Sequence, residues 1–321
     1  MERHLGRGST RLSEPVDRSV EDRYEEAASR FATMRPMDVS ITARPDASAA
    51  LDKLRTVLAD IDGRVVACSG GIDSLVLSVV AHRADPSRTT IAHTVTPAVP
   101  SDGTVRVESY ARGEGWQLEI VRSREFEDES YLSNPVDRCY HCKTHLYDAV
   151  GDIAANSADA STTMTVLSGA NLDDLAEYRP GLVAAAERSV RHPYVEAGLT
   201  KSEVRAVARL LDLPDADLPA SPCLASRLYT GTRVTPSRLR AIELGEALIR
   251  SETGLGVVRC RIDERSMLVE VDDASRSSIT DEVLGAVRRV VVAVEPTIAA
   301  VMLDSESYRP GRAFVDEPAA S

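Results

Sequence analysis

The sequence predicts an α/β fold, a doubly wound Rossmann-like parallel sheet, followed by a smaller C-terminal α+β unit. Three observations carry that reading. Short apolar runs alternate with helix-length segments through the middle of the chain. The first run, Val65-Val66-Ala67, meets Ser69-Gly70-Gly71 and passes directly into an apolar helical stretch, Leu75 to Val80. A proline-rich stretch, Pro214, Pro219 and Pro222, then breaks the alternation, and a second set of elements follows.

Taken in order, Ala47 to Ile61 places Leu51, Leu54 and Leu58 at helical spacing and leads into the strand at Val65. Thr89 to Val95 reads as a second strand. Ser101 is expected to cap a helix running to about Gly113, and Gln117 to Val121 is a third strand. A helix over Arg138 to Asn156 precedes a strand at Met164 to Leu167, which ends in Ser168-Gly169-Ala170-Asn171. Such alternation requires a parallel sheet covered on both faces. Thr200-Lys201-Ser202-Glu203 is a capping box opening the helix Val204 to Leu211, which Leu213-Pro214 stops. Beyond it come a helix (Pro236 to Ser251), strands at Val257 to Ile262 and Leu268 to Val271, a helix (Ile279 to Arg289) and a strand (Ile298 to Leu303). The expected division is therefore an extension over 1–45, a nucleotide-binding domain over 46–213 and a substrate or assembly domain over 214–321. Met1 to Pro45 is rich in Arg, Glu, Ser and Pro without a sustained period, so it is expected to be disordered apart from one weak helix over Val20 to Met34.

Composition narrows the function classes. The 321 residues are 43% apolar but only 4% aromatic, so the cores must be built from Val, Leu, Ile and Ala. A balance of 38 basic against 50 acidic residues, net −12, supplies no basic face and argues against nucleic acid as a partner. No apolar run reaches membrane-span length and no signal peptide opens the chain, so no membrane partner is expected. Five cysteines, an odd number, fit reduced thiols and a cytoplasmic location.

Ligands of doubly wound sheets sit beyond the carboxyl ends of the strands. That rule gathers Ser69, Thr94, Thr96 and Gly169 around one crevice, with a nucleotide base near Thr94 to Thr96. Gly70 and Gly71 let backbone approach a ligand closely, and the following helix N-terminus favours anions. Ser69 and Ser74 add hydroxyls, and Asp73 can hold Mg²⁺ against phosphate oxygens. The loop is not a Walker A motif, since Gly-x4-Gly-Lys is absent. Ser-Gly-Gly-x-Asp-Ser resembles the signature of the PP-loop ATP pyrophosphatases, which implies ATP cleavage between the α- and β-phosphates.

Four further constellations carry chemistry. Cys223 lies in the loop Ser221-Pro222-Cys223-Leu224-Ala225-Ser226-Arg227, where Arg227, Arg259 and Arg261 would favour its thiolate; the alternative is an inert buried cysteine. Cys139 and Cys142 form a CxxC at a helix start, open to structural, redox or metal roles, with His145 one turn on. Arg138 and Lys143 beside it are phosphate contacts or else a solvated basic face. Gly169 and Asn171 can close over a nucleotide, and Asp173 and Asp174 are either Mg²⁺ ligands or caps. Arg259 and Arg261 share one strand face as a clamp for phosphate or carboxylate, with Glu270 on the adjacent strand and Cys260 turned to the core; the alternative is exposed sheet arginines.

These blocks coincide with one family. Ser69 to Ser74, Asn134-Pro135-x-Asp137-Arg138-Cys139-Tyr140-x-Cys142-Lys143 and Gly169-x-Asn171-x-Asp173-Asp174 resemble LarE-type ATP-dependent sacrificial sulfur transferases. So do Arg179-Pro180-Gly181, Leu199-Thr200-Lys201-x-Glu203-Val204-Arg205, Cys223-Leu224-Ala225-Ser226-Arg227 and Tyr308-Arg309-x-Gly311. The resemblance implies that ATP adenylylates a carboxylate of a pyridinium dicarboxylate mononucleotide. Cys223 then gives up its sulfur, leaving a thiocarboxylate and a protein dehydroalanine, in building a nickel-pincer nucleotide. It also implies ATP and Mg²⁺ as cofactors, with Arg259, Arg261 and Glu270 near substrate and metal; Asp73 and Asp174 are the metal candidates of the first domain, and the small second domain is the expected assembly surface of a homo-oligomer. Relatives with three cysteines hold an iron–sulfur cluster; the loop around Cys223 has no second cysteine, so no cluster is expected. The N-terminal extension departs from the family pattern. Other PP-loop chemistries, a tRNA thiolase or an ammonia-dependent amide synthetase, remain the alternatives, and a regulatory nucleotide-binding protein is a third class.

Overall fold

In the computed structural model, the residues described are 46–157, 162–176 and 179–314. The expected extension over 1–45 and its weak helix lie outside them.

Asp46 caps α1 (Ala47–Ala59), whose Leu51, Leu54 and Leu58 form the buried stripe read from their spacing. β1 (Gly63–Ala67) follows, then α2 (Ile72–Ala84), β2 (Thr89–Thr94), α3 (Ser101–Glu114) and β3 (Gln117–Val121). A single turn, α4 (Glu129–Leu132), precedes α5 (Arg138–Ser157) and β4 (Met164–Leu167). The four strands are parallel, in the order β3-β2-β1-β4. β1 has a neighbour on each side and Val65 and Val66 are wholly buried, which is why it reads as a continuous apolar run rather than an alternating one. Chain order reverses at β1, and in such sheets a crevice opens beyond the carboxyl end at that point.

One face of the sheet packs on α1, α2 and α8 (Lys201–Leu210), through Leu54, Leu58, Leu75, Val204 and Val207. The other packs on α5 and α6 (Pro180–Glu187), through Val150, Ala154, Tyr147 and Ala184. α6 and the single turn α7 (Pro193–Glu196) were not expected; both are too short to show a period, and each begins on a proline at its first position. The Thr200–Glu203 capping box forms as read, so α8 starts at Lys201, one residue after the cap. Ser101 corrects the expectation. Pro100 occupies the cap position without a side-chain bond, and the Ser101 N–H donates instead to Glu243 Oε1 at 2.7 Å.

The second sheet has the order β5-β6-β7, from β5 (Arg259–Asp263), β6 (Ser266–Glu270) and β7 (Ala300–Leu303). β5 and β6 are an antiparallel hairpin, while β6 and β7 are parallel because α10 (Asp281–Val294) crosses between them. α9 (Pro236–Thr253) and α10 cover it with Leu239, Ile242, Val287 and Val291, and Cys260 is fully buried among them as expected. This core also takes in Ala98, Tyr131, Leu224 and Ala225, so the segment bearing Cys223 lies between the two sheets. Among the described residues no helix is long and apolar enough to cross a membrane.

Candidate active site

The loop after β1 closes on the Ser74 hydroxyl. Ser74 Oγ accepts from the Ser69 N–H at 3.1 Å, donates to the Gly71 carbonyl at 2.9 Å and lies 3.2 Å from Ser69 Oγ. Gly71 caps α2 without a side-chain bond, so the first-turn amides keep their capacity to bind an anion. Gly70 has φ +79°, and a Cβ there would sit 2.5 Å from the Gly103 carbonyl oxygen at the start of α3. Gly169 is as tight: a Cβ would come within 3.0 Å of the Asp73 carbonyl carbon and the Ser74 nitrogen. Both glycines are steric necessities of a loop wedged between β4 and α3. Gly70→Ala is accordingly expected to destabilise the fold by about 1–3 kcal/mol and to impair nucleotide binding, read from urea midpoints and ATP titrations.

Asp73, at the mouth of this loop, is held from two sides. Its Oδ2 lies 3.0 Å from Lys201 Nζ, and its backbone carbonyl accepts from the buried Tyr194 hydroxyl at 2.8 Å. Burial pushes the carboxyl up from its ordinary range, with Lys201 opposing and Asp174 adding to the rise. Asp73 Oδ1 is buried without a hydrogen-bond partner. An uncompensated carboxylate oxygen is costly, and a hard cation is the partner its chemistry fits. Asp174 and Asp173 do serve as caps: Asp174 Oδ2 accepts from the Asn171 N–H at 3.0 Å, and an Asp173 oxygen accepts from the Lys201 N–H at 2.7 Å. Asp174 also pairs with Arg179 at 3.0 Å. Glu270 does not join these carboxylates. It is fully buried in the second sheet between Arg261 and Arg312, 2.7 and 3.0 Å away. Among the described residues no three His, Cys, Asp or Glu side chains gather as a metal cage.

Beyond β2, Val95, Thr96 and Pro97 line a cavity of about 370 Å³ with Thr104, Glu108 and Arg240. Thr94 Oγ1 is buried beside it without a partner. Ser168 and His192, neither singled out in the sequence, meet at 2.7 Å under the end of β4, where burial pushes the imidazole down to about 4 and keeps it neutral.

Cys223 is half-buried and caps a short 3₁₀ turn, Leu224–Arg227. The Leu224 N–H donates to the Ala98 carbonyl at 2.8 Å, just past the carboxyl end of β2. The sulfur loop thus docks on the same end of the sheet as the glycine loop. Arg227, expected at the thiol, is spent elsewhere: it grips Glu246 at 3.0 Å and donates to the Pro222 and Cys223 carbonyls. Arg259 and Arg261 are 8% and 4% exposed, which rules out exposed sheet arginines. Arg259 donates to the carbonyls of Val258 and Ala220 and stacks on Tyr308, while Arg261 donates to the carbonyls of Ser226 and Arg309. The arginine strand therefore does fold back on the sulfur loop. Arg138 is no solvated base either. At 2% exposure it donates to Asn134 Oδ1 at 2.5 Å and to the Ala225 carbonyl at 2.9 Å, a strut under the same loop.

Cys139 and Cys142 lie on α5, outside the Cys223 loop. Cys142 and Cys223 both pack against the second core, which brings one thiol of the CxxC and the sulfur loop to the same region. The helix start does not activate Cys142: burial pushes its thiol up to about 12, with Cys223 adding to the rise. His145 turns away to Asp128 at 2.8 Å. The Lys143 ammonium lies 5.6 Å from the Tyr147 ring centre. Burial works against its charge, but Tyr147 and the thiols hold it above its ordinary value.

No family model matches the chain. It is 32% identical over 263 residues to the uncharacterized protein slr1717 of Synechocystis, covering 82% of this chain and 96% of that one. It is 30% identical over 222 residues to pyridinium-3,5-bisthiocarboxylic acid mononucleotide synthase of Lactiplantibacillus plantarum, covering 69% of this chain and 79% of the synthase. The uncharacterized protein MJ0830 of Methanocaldococcus jannaschii is 25% identical over 209 residues, or 65% and 77% of the two chains.

Proposed function

From the premise that this chain belongs to the LarE-type family of the Lactiplantibacillus synthase, we propose that it is an ATP-dependent sulfur transferase acting on a pyridinium dicarboxylate mononucleotide. The substrate carboxylate attacks the α-phosphorus of ATP; the new O–P bond forms as the α–β bridge breaks and pyrophosphate leaves. The glycine-loop amides and the Ser69 and Ser74 hydroxyls hold the phosphates, Gly169 and Asn171 close over the nucleotide, and Thr94 lies toward the base. Lys201, freed from Asp73, adds a cation at the leaving pyrophosphate. Mg²⁺, held by Asp73 Oδ1 with Asp174 nearby, would neutralise phosphate oxygens. Cys223 sulfur next attacks the activated acyl carbon and expels AMP; removal of its Cα proton then breaks the Cβ–S bond, leaving thiocarboxylate and dehydroalanine. Lys143, with no carboxylate beside it among the described residues, offers its charge to the anionic substrate.

The observation that carries this reading is the docking of the Cys223 loop on Ala98, at the strand ends where the nucleotide would lie. Holding a thiol beside an activated acyl group is worth several kcal/mol of barrier, on the order of 7–11 in well-oriented cases. The test is intact-protein mass spectrometry after reaction with Mg²⁺, ATP and pyridinium-3,5-dicarboxylate mononucleotide. Pyrophosphate release with loss of the elements of H₂S at residue 223 is expected. Pyrophosphate release with an unchanged protein mass would assign the sulfur, or the nucleophile, to an outside donor.

A further inference from the structure

Elimination at Cys223 puts charge on one identifiable atom. When a base takes the Cα proton, the electron pair spreads onto the carbonyl oxygen of residue 223 itself before sulfur departs from Cβ. In this structure that oxygen already accepts three hydrogen bonds. The Ser226 N–H donates at 3.0 Å, Ser226 Oγ at 2.8 Å and Arg227 Nη1 at 3.1 Å. A 3₁₀ turn requires only the first of these. The hydroxyl and the guanidinium are additions, and their distances match those of donors that stabilise a developing oxyanion.

The guanidinium is fixed before any reaction. Arg227 is 3% exposed, and its Nε and Nη2 engage Glu246 at 3.0 and 3.3 Å. Glu246 is itself buried, and it accepts from the Cys260 N–H at 3.2 Å. The helix comes this close because Gly245 has no Cβ; one would lie 3.1 Å from Cys260 Sγ. A buried ion pair contributes little stability that an apolar pair of the same volume would not. Only the charged pair, however, turns Nη1 onto the Cys223 carbonyl.

We propose that Ser226 and Arg227, with Glu246 as positioning residue behind Arg227, form an oxyanion hole for the Cys223 enolate and so promote carbon–sulfur cleavage. The inference rests on the sulfur-donor reading above. In the step, solvent base takes the Cα proton, the Cα–Cβ double bond forms, and the Cβ–S electron pair leaves with the thiocarboxylate. Residue 223 remains as dehydroalanine.

Rapid-quench mass spectrometry separates the two stages, since the protein–substrate thioester and dehydroalanine differ in mass. With Mg²⁺, ATP and pyridinium-3,5-dicarboxylate mononucleotide, Ser226→Ala should convert the thioester to dehydroalanine at least about 10-fold more slowly relative to its formation. Ser226→Thr should restore the ratio, and Glu246→Gln should lower it. An unchanged ratio in both Ser226→Ala and Glu246→Gln overturns the proposal, as does equal slowing of both stages, which would reduce these residues to loop supports. A second measurement needs neither ATP nor substrate. S-cyanylated cysteine loses thiocyanate by the same Cα–H removal, so after cyanylation wild type should form dehydroalanine faster at 223 than at Cys139 or Cys142. Ser226→Ala should abolish that advantage. Seen without any thioester in the first assay, this result would keep the hole and sink the sulfur-donor reading; equal rates at the three cysteines would sink the hole.

Discussion

Cys223→Ala is expected to abolish thiocarboxylate formation, by at least about 10³-fold, while pyrophosphate release continues. In the proposed reaction the sulfur is the reagent, so no other group of the loop can substitute for it. The fold should survive, because the loop is held by backbone carbonyls and amides that alanine keeps: Leu224 to Ala98, Ser226 and Arg227 to the residue 223 carbonyl. Cys223 is half-buried at the edge of the second core, so the urea midpoint should move little, about 1 kcal/mol or less. The adjacent thiols make the experiment discriminating. Cys142, pushed up to about 12, is protonated near neutrality and a poor nucleophile. Thiocarboxylate from the alanine variant would transfer the donor role to Cys139, Cys142 or an external sulfur source, and the triple variant would tell these apart.

What the sequence revealed, and what it hid, divides by range. The parallel sheet was legible because short β-prone segments alternate with helix-length ones, and observed strand bounds lie within two residues of those read. The glycine loop was legible too: Ser69 to Ser74 is one local motif whose donors and acceptors serve each other. Lys201 was read in a capping box and a family motif but not as a partner of Asp73, which is 128 residues away. Arginines showed the opposite difficulty. Charge at 138, 227, 259 and 261 was plain, but whether each faces solvent or interior depends on how the folded chain presents Asn134, Glu246, Glu270 and the 220–226 carbonyls. That Cys142 of α5 and Cys223 pack against one core was hidden likewise, since 81 residues separate them.

Asp73→Asn is expected to lower pyrophosphate release at least about 100-fold and to remove its dependence on Mg²⁺ concentration. Asparagine keeps the shape of the side chain and deletes one charge, so the change isolates electrostatics. The stability consequences should be small, since two effects oppose each other. Burial disfavours the carboxylate, and its removal relieves that cost. The lost partner, Lys201, is 39% exposed, and a screened pair of that kind is worth about 1 kcal/mol or less. Catalysis has no such compensation. Oδ1, the buried oxygen without a protein partner, is the atom left to a cation, and an amide there is a far weaker ligand than a carboxylate. In the proposed reaction, losing that cation would leave the phosphate chain and the attacking carboxylate to meet as like charges with only Lys201 and the loop amides between them. Lys201→Met provides the contrast: it should raise the ATP concentration needed while leaving the Mg²⁺ requirement in place. An Asp73→Asn enzyme with unaltered turnover and the same Mg²⁺ titration curve would remove Asp73 from the metal and move the site toward Asp174.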